Sequence, residues 1–265
     1  MTLSRWLAAV IIGAAVVAGS TAASAQSALE IMQKQRELHR AKDEEEVLAL
    51  KLVDRHGAVK QRRIVRYTAT AADGLSKILV RFLAPRDIEN TGLLTWEAAD
   101  GDDDQWLFLP AARKAKRIAA SGKKNRFMGT DFAFEDLRPE ALAANRYALL
   151  GSEVLEGQDC HVIEAVPATE RQAADSGYSK RKLWVRKDTL YIMKREFYDK
   201  KGRLEKVQID RQLVNVKGPM WRANEIEMRD VQSEGRTVLS AERRAVDTGL
   251  KPSLFTESEL TRGGS

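Results

Sequence analysis

Turn signals punctuate this chain at short intervals from Asp54 almost to its end. DRHGAV (Asp54–Val59), AADGLS (Ala71–Ser76), ADGDDDQ (Ala99–Gln105), LEGQD (Leu155–Asp159), RKDT (Arg186–Thr189), DKKGR (Asp199–Arg203), VKGPM (Val216–Met220) and SEGR (Ser233–Arg236) each separate two runs of β-forming residues. Each supplies Gly or Asp where a tight turn needs a positive φ or a side chain bonded back to the backbone. Loops this short leave consecutive strands only an antiparallel pairing. The expected fold is therefore mostly β, a single antiparallel meander of about ten or eleven strands, strongly curved into an incomplete barrel. No βαβ unit, domain linker or internal repeat interrupts it.

One helix stands out before the strands. ALEIMQKQRELHRAKDEEE (Ala28–Glu46) is rich in helix formers and puts Leu29, Met32 and Leu38 on one loosely apolar side. The strands alternate. Leu48, Leu50 and Leu52 share a face, Trp106 and Phe108 share another, and Ile226 pairs with Met228. In the hairpin Arg181–Asp199, Tyr191, Met193 and Phe197 are expected to alternate with Ile192, Lys194 and Tyr198. A broad sheet with one apolar face needs a cover. Only the helix and the irregular segment 121–143, which opens with the aromatic stretch SGKKNRFMGTDFAFED (Ser121–Asp136), are available, and a thin cover over a curved sheet leaves a cavity.

The N-terminus carries an export address. Arg5 precedes an apolar run from Trp6 to Ala18, and Ala23-Ser24-Ala25 has the small-x-small cleavage pattern. Residues 1–25 are thus expected to be a signal peptide cleaved after Ala25, with residues 26–265 forming one mature domain in the periplasm. The apolar run of about 13 residues falls short of the roughly 20 a membrane span requires. Cys160 is the single cysteine, so no internal disulfide is expected and stability must come from a core. The formal charge of +6 drops to +5 once Arg5 is removed, spread among many acids. An exported chain with no aromatic-basic motif is not expected to bind nucleic acid. An anionic surface remains a fitting partner.

Catalytic and metal-binding patterns are missing. The three histidines, His39, His56 and His161, fall on a helix, a turn and a strand. Cys160 and His161 are adjacent, so in a strand they point to opposite faces and cannot act as nucleophile and base. Asp100, Asp102, Asp103 and Asp104 suggest a calcium loop. Counting from Asp100 or Asp102, however, puts Ala111 or Arg113 at the twelfth position, which needs a bidentate acid. That run is expected to be a solvated turn, and ARKAKRI (Ala112–Ile118) an exposed basic strand face. No cofactor and no metal is expected. Glu135 and Asp136 leave a hydrolase open as the weakest reading.

The block Leu93–Leu137, and within it FMGTDFAFEDL, resembles the signature of the LolA-like outer membrane lipoprotein-sorting proteins, in the subgroup that accompanies RND/MMPL-type exporters. LEGQDCHVIEAVP, LWVRKDTLYIMKREFYDKKGRL, WRANEIEM and LFTESEL continue the resemblance in order along the chain. It implies an incomplete barrel with a helical lid, and a soluble, non-enzymatic monomer. Such a protein would receive the acyl chains of a lipid or lipoprotein, touch the membrane only transiently and take cargo from an RND/MMPL-type exporter. A cargo-free adaptor of such an exporter is the alternative. The expected cavity or flap residues are Trp96, Trp106, Phe108, Phe127, Met128, Phe132, Phe134, Trp184 and Met193. Arg117, Lys123, Lys124 and Arg126 are the expected contacts for an anionic headgroup.

Overall fold

A computed structural model describes residues 20–100, 102–139 and 142–262, with side chains from Ala28 onward. The apolar run of the expected signal peptide lies outside the described residues, as do the side chains around Ala25. Helix α1 spans Ser20–Leu38. Six strands follow: β1 (Asp43–Val53), β2 (Val59–Thr70), β3 (Ser76–Ala84), β4 (Gly92–Trp96), β5 (Asp104–Leu109) and β6 (Lys114–Arg117). A crossing segment leads to β7 (Asn145–Leu155) and β8 (Gln158–Pro167), then a short helix α2 (Glu170–Asp175). The chain ends with β9 (Lys180–Arg186), β10 (Ile192–Tyr198), β11 (Leu204–Lys217), β12 (Met220–Asp230), β13 (Arg236–Val246) and helix α3 (Glu257–Arg262).

All thirteen strands form one antiparallel sheet in the order β6-β5-β4-β3-β2-β1-β13-β12-β11-β10-β9-β8-β7. It is two meanders, joined where β1 pairs with β13 from Glu44↔Val246 to Val53↔Arg236. The sheet does not close, since β6 and β7 are its two edges. The strand count exceeds the expected ten or eleven. The shortest strands, β6 and β4, have four and five residues, too few for alternation to stand out.

The two faces of the sheet are covered differently. On the inner face Leu48, Leu50, Ile64, Ile78, Val80, Phe82, Leu93 and Leu239 pack with Phe127, Phe132 and Phe134 of the crossing segment. Strand register brings these side chains together, with Leu48 opposite Ile64 and Leu50 opposite Leu239. Each buried side chain of this size contributes about 1.5–3 kcal/mol. Over the far end of the same face α1 sets Ala28 and Met32 against Ile163, Leu183, Val185 and Ile192. On the outer face, Leu79, Leu94, Trp106 and Phe108 pack against Phe255 and Leu260 of the C-terminal segment. Trp96 and Trp106 meet edge to face at 4.8 Å, and Trp96 Nε1 donates to Phe255 O at 2.9 Å. Gly92 lies where α3 crosses β4, and a Cβ there would sit 2.6 Å from Leu260 Cδ1.

Two expectations are corrected. The helix ends at Leu38, and Asp43–Glu46 open β1 instead of ending the helix. Buried ion pairs from Glu44 and Glu46 to arginines of β2, β12 and β13 hold this piece in the sheet, so tertiary contacts override its helix propensity. In β10 a register shift between Ile192 and Lys194 breaks the expected alternation. Phe197 faces inward with the core, while Met193 packs with Trp184, Cys160 and Val162 in a separate cluster. A bulge adds one residue and so switches the face of everything beyond it.

Trp106→Ala removes the centre of the outer-face cluster without touching the inner face. It is expected to lower stability by about 3–5 kcal/mol, read by urea unfolding. A loss under about 1 kcal/mol would contradict this account of how α3 is held.

Candidate functional site

The crossing segment is a pinned hairpin. Phe127 N donates to Phe132 O (2.8 Å) and Phe134 N to Asn125 O (3.1 Å). Met128 and Gly129, both at positive φ, form its tip. Gly129 takes that conformation without strain, and no atom lies within 4 Å of where its Cβ would be. The hairpin is tied to the sheet along its length. Arg62 Nη1 donates to Met128 O (2.5 Å), Thr237 Oγ1 to an Asp131 carboxylate oxygen (2.7 Å) and Gln105 Nε2 to Phe134 O (3.1 Å). Arg126 is ion-paired with Asp131 and Asp230. At its end Asp136 accepts from Tyr178 Oη (2.8 Å) and lies 3.4 Å from Lys206 Nζ, with both members of that ion pair buried.

Between this hairpin, α1 and the inner face is a cavity of about 770 Å³. That is within the range of about 300–1,000 Å³ for small-molecule sites. Its floor is apolar: Leu48, Leu50, Ile64, Ile78, Val80, Ile226 and Leu239, roofed by Phe127 and Phe132. Its other end is charged, where Arg66, Arg195, Arg222, Tyr191, Asp210 and His39 line the wall.

This wall is a band of ion pairs across β2, β1, β13, β12, β11 and β10. Glu46, 2% exposed, accepts from Arg66 Nε (2.8 Å) and Arg244 Nε (2.8 Å). Glu44 accepts from Arg222 Nη2 at 2.8 Å and lies 3.4 Å from Arg244. Asp210 accepts from Tyr191 Oη (2.9 Å) and Gln208 Nε2 (2.7 Å). Burial alone would raise the Glu46 carboxyl, but Arg66 and Arg244 outweigh it and hold the group below its ordinary value. Burial raises the Asp210 carboxyl, with Arg195 opposing. The Tyr191 hydroxyl is pushed well up by burial and by the Asp210 charge.

His39 latches the end of α1 to this wall. Its Nε2 lies 2.9 Å from Thr189 O, and its Nδ1 accepts from Trp221 N at 3.2 Å. Those partners fix the neutral tautomer, with the proton on Nε2, since a proton on Nδ1 would face the Trp221 N–H. Burial, chiefly, and the Arg222 charge lower its pKa, against the hydrogen bond to Thr189.

The expected site residues divide among three places. Phe127 and Phe132 line the cavity, and Met128 and Phe134 belong to the same apolar cluster. Trp96, Trp106 and Phe108 lie on the outer face under the C-terminal segment. Trp184 and Met193 pack in the separate cluster created by the β10 bulge, and Trp184 Nε1 donates to Glu153 (2.7 Å). Arg117 is paired with Asp104, and Arg126 with Asp131 and Asp230. Lys123 is buried and reaches Asp103 O (2.5 Å) and Asp102 (3.3 Å) at the cavity edge, while Lys124 is exposed. The aspartate turn is corrected in one position. Asp103 is 1% exposed and accepts from Ala98 N and Arg138, because the crossing segment roofs this turn. The residues that sequence reasoning missed are Arg66, Arg195, Arg222 and Asp210. Nothing in its strand marks Arg66, since its face also carries Lys60, Arg62, Thr68 and Thr70 beside Ile64.

A family model described as that of an uncharacterized protein matches residues 74–262. An outer membrane lipoprotein-sorting protein domain from Vibrio parahaemolyticus is 31% identical, with 90% of this chain and 100% of that one aligned at a TM-score of 0.85. The chain belongs to the LolA-like outer membrane lipoprotein-sorting family. A DUF1329 family protein from Desulfovibrio piger is 26% identical over 89% of this chain and 99% of its own, with a TM-score of 0.83. A LolA superfamily protein from Nitrosomonas europaea, 22% identical with 89% and 99% covered and a TM-score of 0.69, shares the fold. No curated protein matches the chain. Within this LolA-like fold the cavity lies between sheet, hairpin and helix.

The titrating groups of the wall set a pH dependence. A neutral His39 has its folded pKa below the ordinary 6.5, so the unfolded chain takes up a proton first as pH falls and stability drops below about 6.5. His161, also lowered by burial, acts in the same direction. Glu46, depressed below 4.5, contributes stability that is lost as pH falls further through its folded value. Thermal melts should therefore fall between about pH 7.5 and 5.5, with a smaller slope in His39→Gln. An unchanged slope in that variant would contradict the latch.

Proposed function

We propose that this LolA-like chain is a periplasmic carrier, not an enzyme, that holds the acyl chains of a lipid or lipoprotein in its cavity and moves them toward the outer membrane. The observation that carries this reading is the cavity of about 770 Å³ with an apolar floor, enclosed by a hairpin and a helix. Removing an acyl chain from water onto that floor contributes about 0.8 kcal/mol per methylene before the entropy of association is subtracted. No nucleophile or general base is needed for that.

The carboxylates that a hydrolase would use are already occupied. Glu135 accepts from Ser176 Oγ (2.7 Å) and Gly177 N (2.7 Å), and Asp136 from Ala133 N (2.7 Å) as well as from Tyr178. They lock the crossing hairpin to the loop before β9, a structural task. Export by a cleaved signal peptide, which rests on the N-terminal sequence pattern, and loading by an RND/MMPL-type exporter, which rests on the resemblance to that subgroup, complete the proposal.

Displacement of a neutral, polarity-sensitive dye by acyl detergents tests the reading. Ile78→Trp fills the floor by the volume of about two methylenes and should weaken acyl binding by about tenfold. Phe132→Glu should abolish it, with circular dichroism confirming the fold, because it buries an unpaired charge against the chain. Undiminished binding in both folded variants would exclude the cavity as the cargo site.

A further inference from the structure

The arginines of the ion-pair band, three of which line the cavity, are not equally satisfied. Arg222 uses Nε and Nη2 on Glu44 and Nη1 on Trp221 O. Arg244 is bonded to Glu46, Asn224 and Ala223 O. Arg66 spends Nε and Nη2 on Glu46. Arg195, on the inner face of β10 opposite Gln208, is different. Its Nη1 is buried and has no hydrogen-bond partner. The nearest acid, Asp210, is 3.6 Å away, beyond hydrogen-bond length, and its two oxygens already accept from Gln208 and Tyr191.

The charges around it do not balance. Within the band four guanidiniums (Arg66, Arg195, Arg222, Arg244) meet three carboxylates (Glu44, Glu46, Asp210), and Asp210, the ion partner of Arg195, also accepts from Gln208 and Tyr191. Glu135 and Asp136 also border the cavity and are bonded within the crossing segment and its neighbours. Asp210 offsets the charge of Arg195 but leaves its buried Nη1 without a hydrogen bond, which is unfavourable, and an anion placed against that donor relieves it. A guanidinium matches a carboxylate or phosphate with two parallel hydrogen bonds. The floor begins beside it: Ile64 is two residues from Arg66 on the same strand face, and Ile226 pairs with Asp210 across β11 and β12.

We propose that Arg195 is the anchor for the anionic head of the cargo, so that the ligand is an amphiphile whose carboxylate or phosphate sits at the arginine wall while its chain lies along the floor. The proposal rests on the carrier reading and assigns it a ligand class. It also moves headgroup recognition from Arg117, Lys123, Lys124 and Arg126 to the arginine wall.

The test compares three probes of one chain length, dodecanoate, dodecyl phosphate and dodecanol, each displacing the neutral dye from the full-length exported protein. The expected result is that one or both anions bind at least about tenfold more tightly than the alcohol, the gain of a charge-assisted pair. Which anion is preferred tells whether the head is a carboxylate or a phosphate. In Arg195→Gln the ratio of anion to alcohol affinity should fall to near one, and Arg195→Lys should restore part of it. A thermal melt accompanies each variant. Equal affinities for anion and alcohol in the parent protein would overturn the proposal while leaving the carrier reading standing, as would a preference that survives in folded Arg195→Gln. Failure of all three probes to displace the dye would overturn both.

Discussion

The pairing of β1 with β13 is what makes one inner surface out of two meanders. It joins residues nearly the whole length of the domain apart, with Glu46 reaching Arg244 across 198 positions. Closing so long a loop costs chain entropy, so the seam needs more than its ladder of hydrogen bonds. It is reinforced by buried ion pairs in which Glu44 and Glu46 of β1 meet Arg244 of β13, Arg222 of β12 and Arg66 of β2. Breaking a buried pair by removing one partner is costly, since the other charge is left unpaired. Two of these groups, Arg66 and Arg222, also line the charged end of the cavity. One set of interactions thus fixes the sheet and contributes to the polarity of the cavity.

The cover over that surface is thin but firmly held. The crossing hairpin offers Phe127, Phe132 and Phe134 inward, and its polar atoms are bonded to the sheet at Arg62, Thr237, Gln105 and Lys206. Helix α1 covers the other end and is latched at His39. The helix is held by more than this imidazole, since Ala28 and Met32 pack on the sheet and Arg36 is ion-paired with the buried Glu97.

Much of this was legible in the sequence because turn chemistry is local. Gly and Asp at short intervals report where strands end, whatever the strands then pack against, and all eight marked turns fall between strands. The aromatic stretch was readable as cover for the same reason, since it has neither strand nor helix period. What was not legible depends on distant partners. DEEE at Asp43–Glu46 looks like the end of a helix until Arg66, Arg222 and Arg244 are brought to it. The bulge in β10 has no residue signature, yet it sends Met193 and Phe197 to opposite faces. Trp96, Trp106 and Phe108 are apolar enough for either face, and only the C-terminal segment packed on them decides which. Arg195 was invisible because its significance lies in the hydrogen bonds it does not make.

The central claim is that the cavity is made for an acyl chain. It is tested most directly by exporting the full chain with its own N-terminus, purifying it gently from the periplasm and extracting it with organic solvent for mass spectrometry. A stoichiometric acyl lipid is predicted, lost or much reduced in Ile78→Trp. Folded protein that carries no lipid, from cells where it is exported normally, would contradict the account.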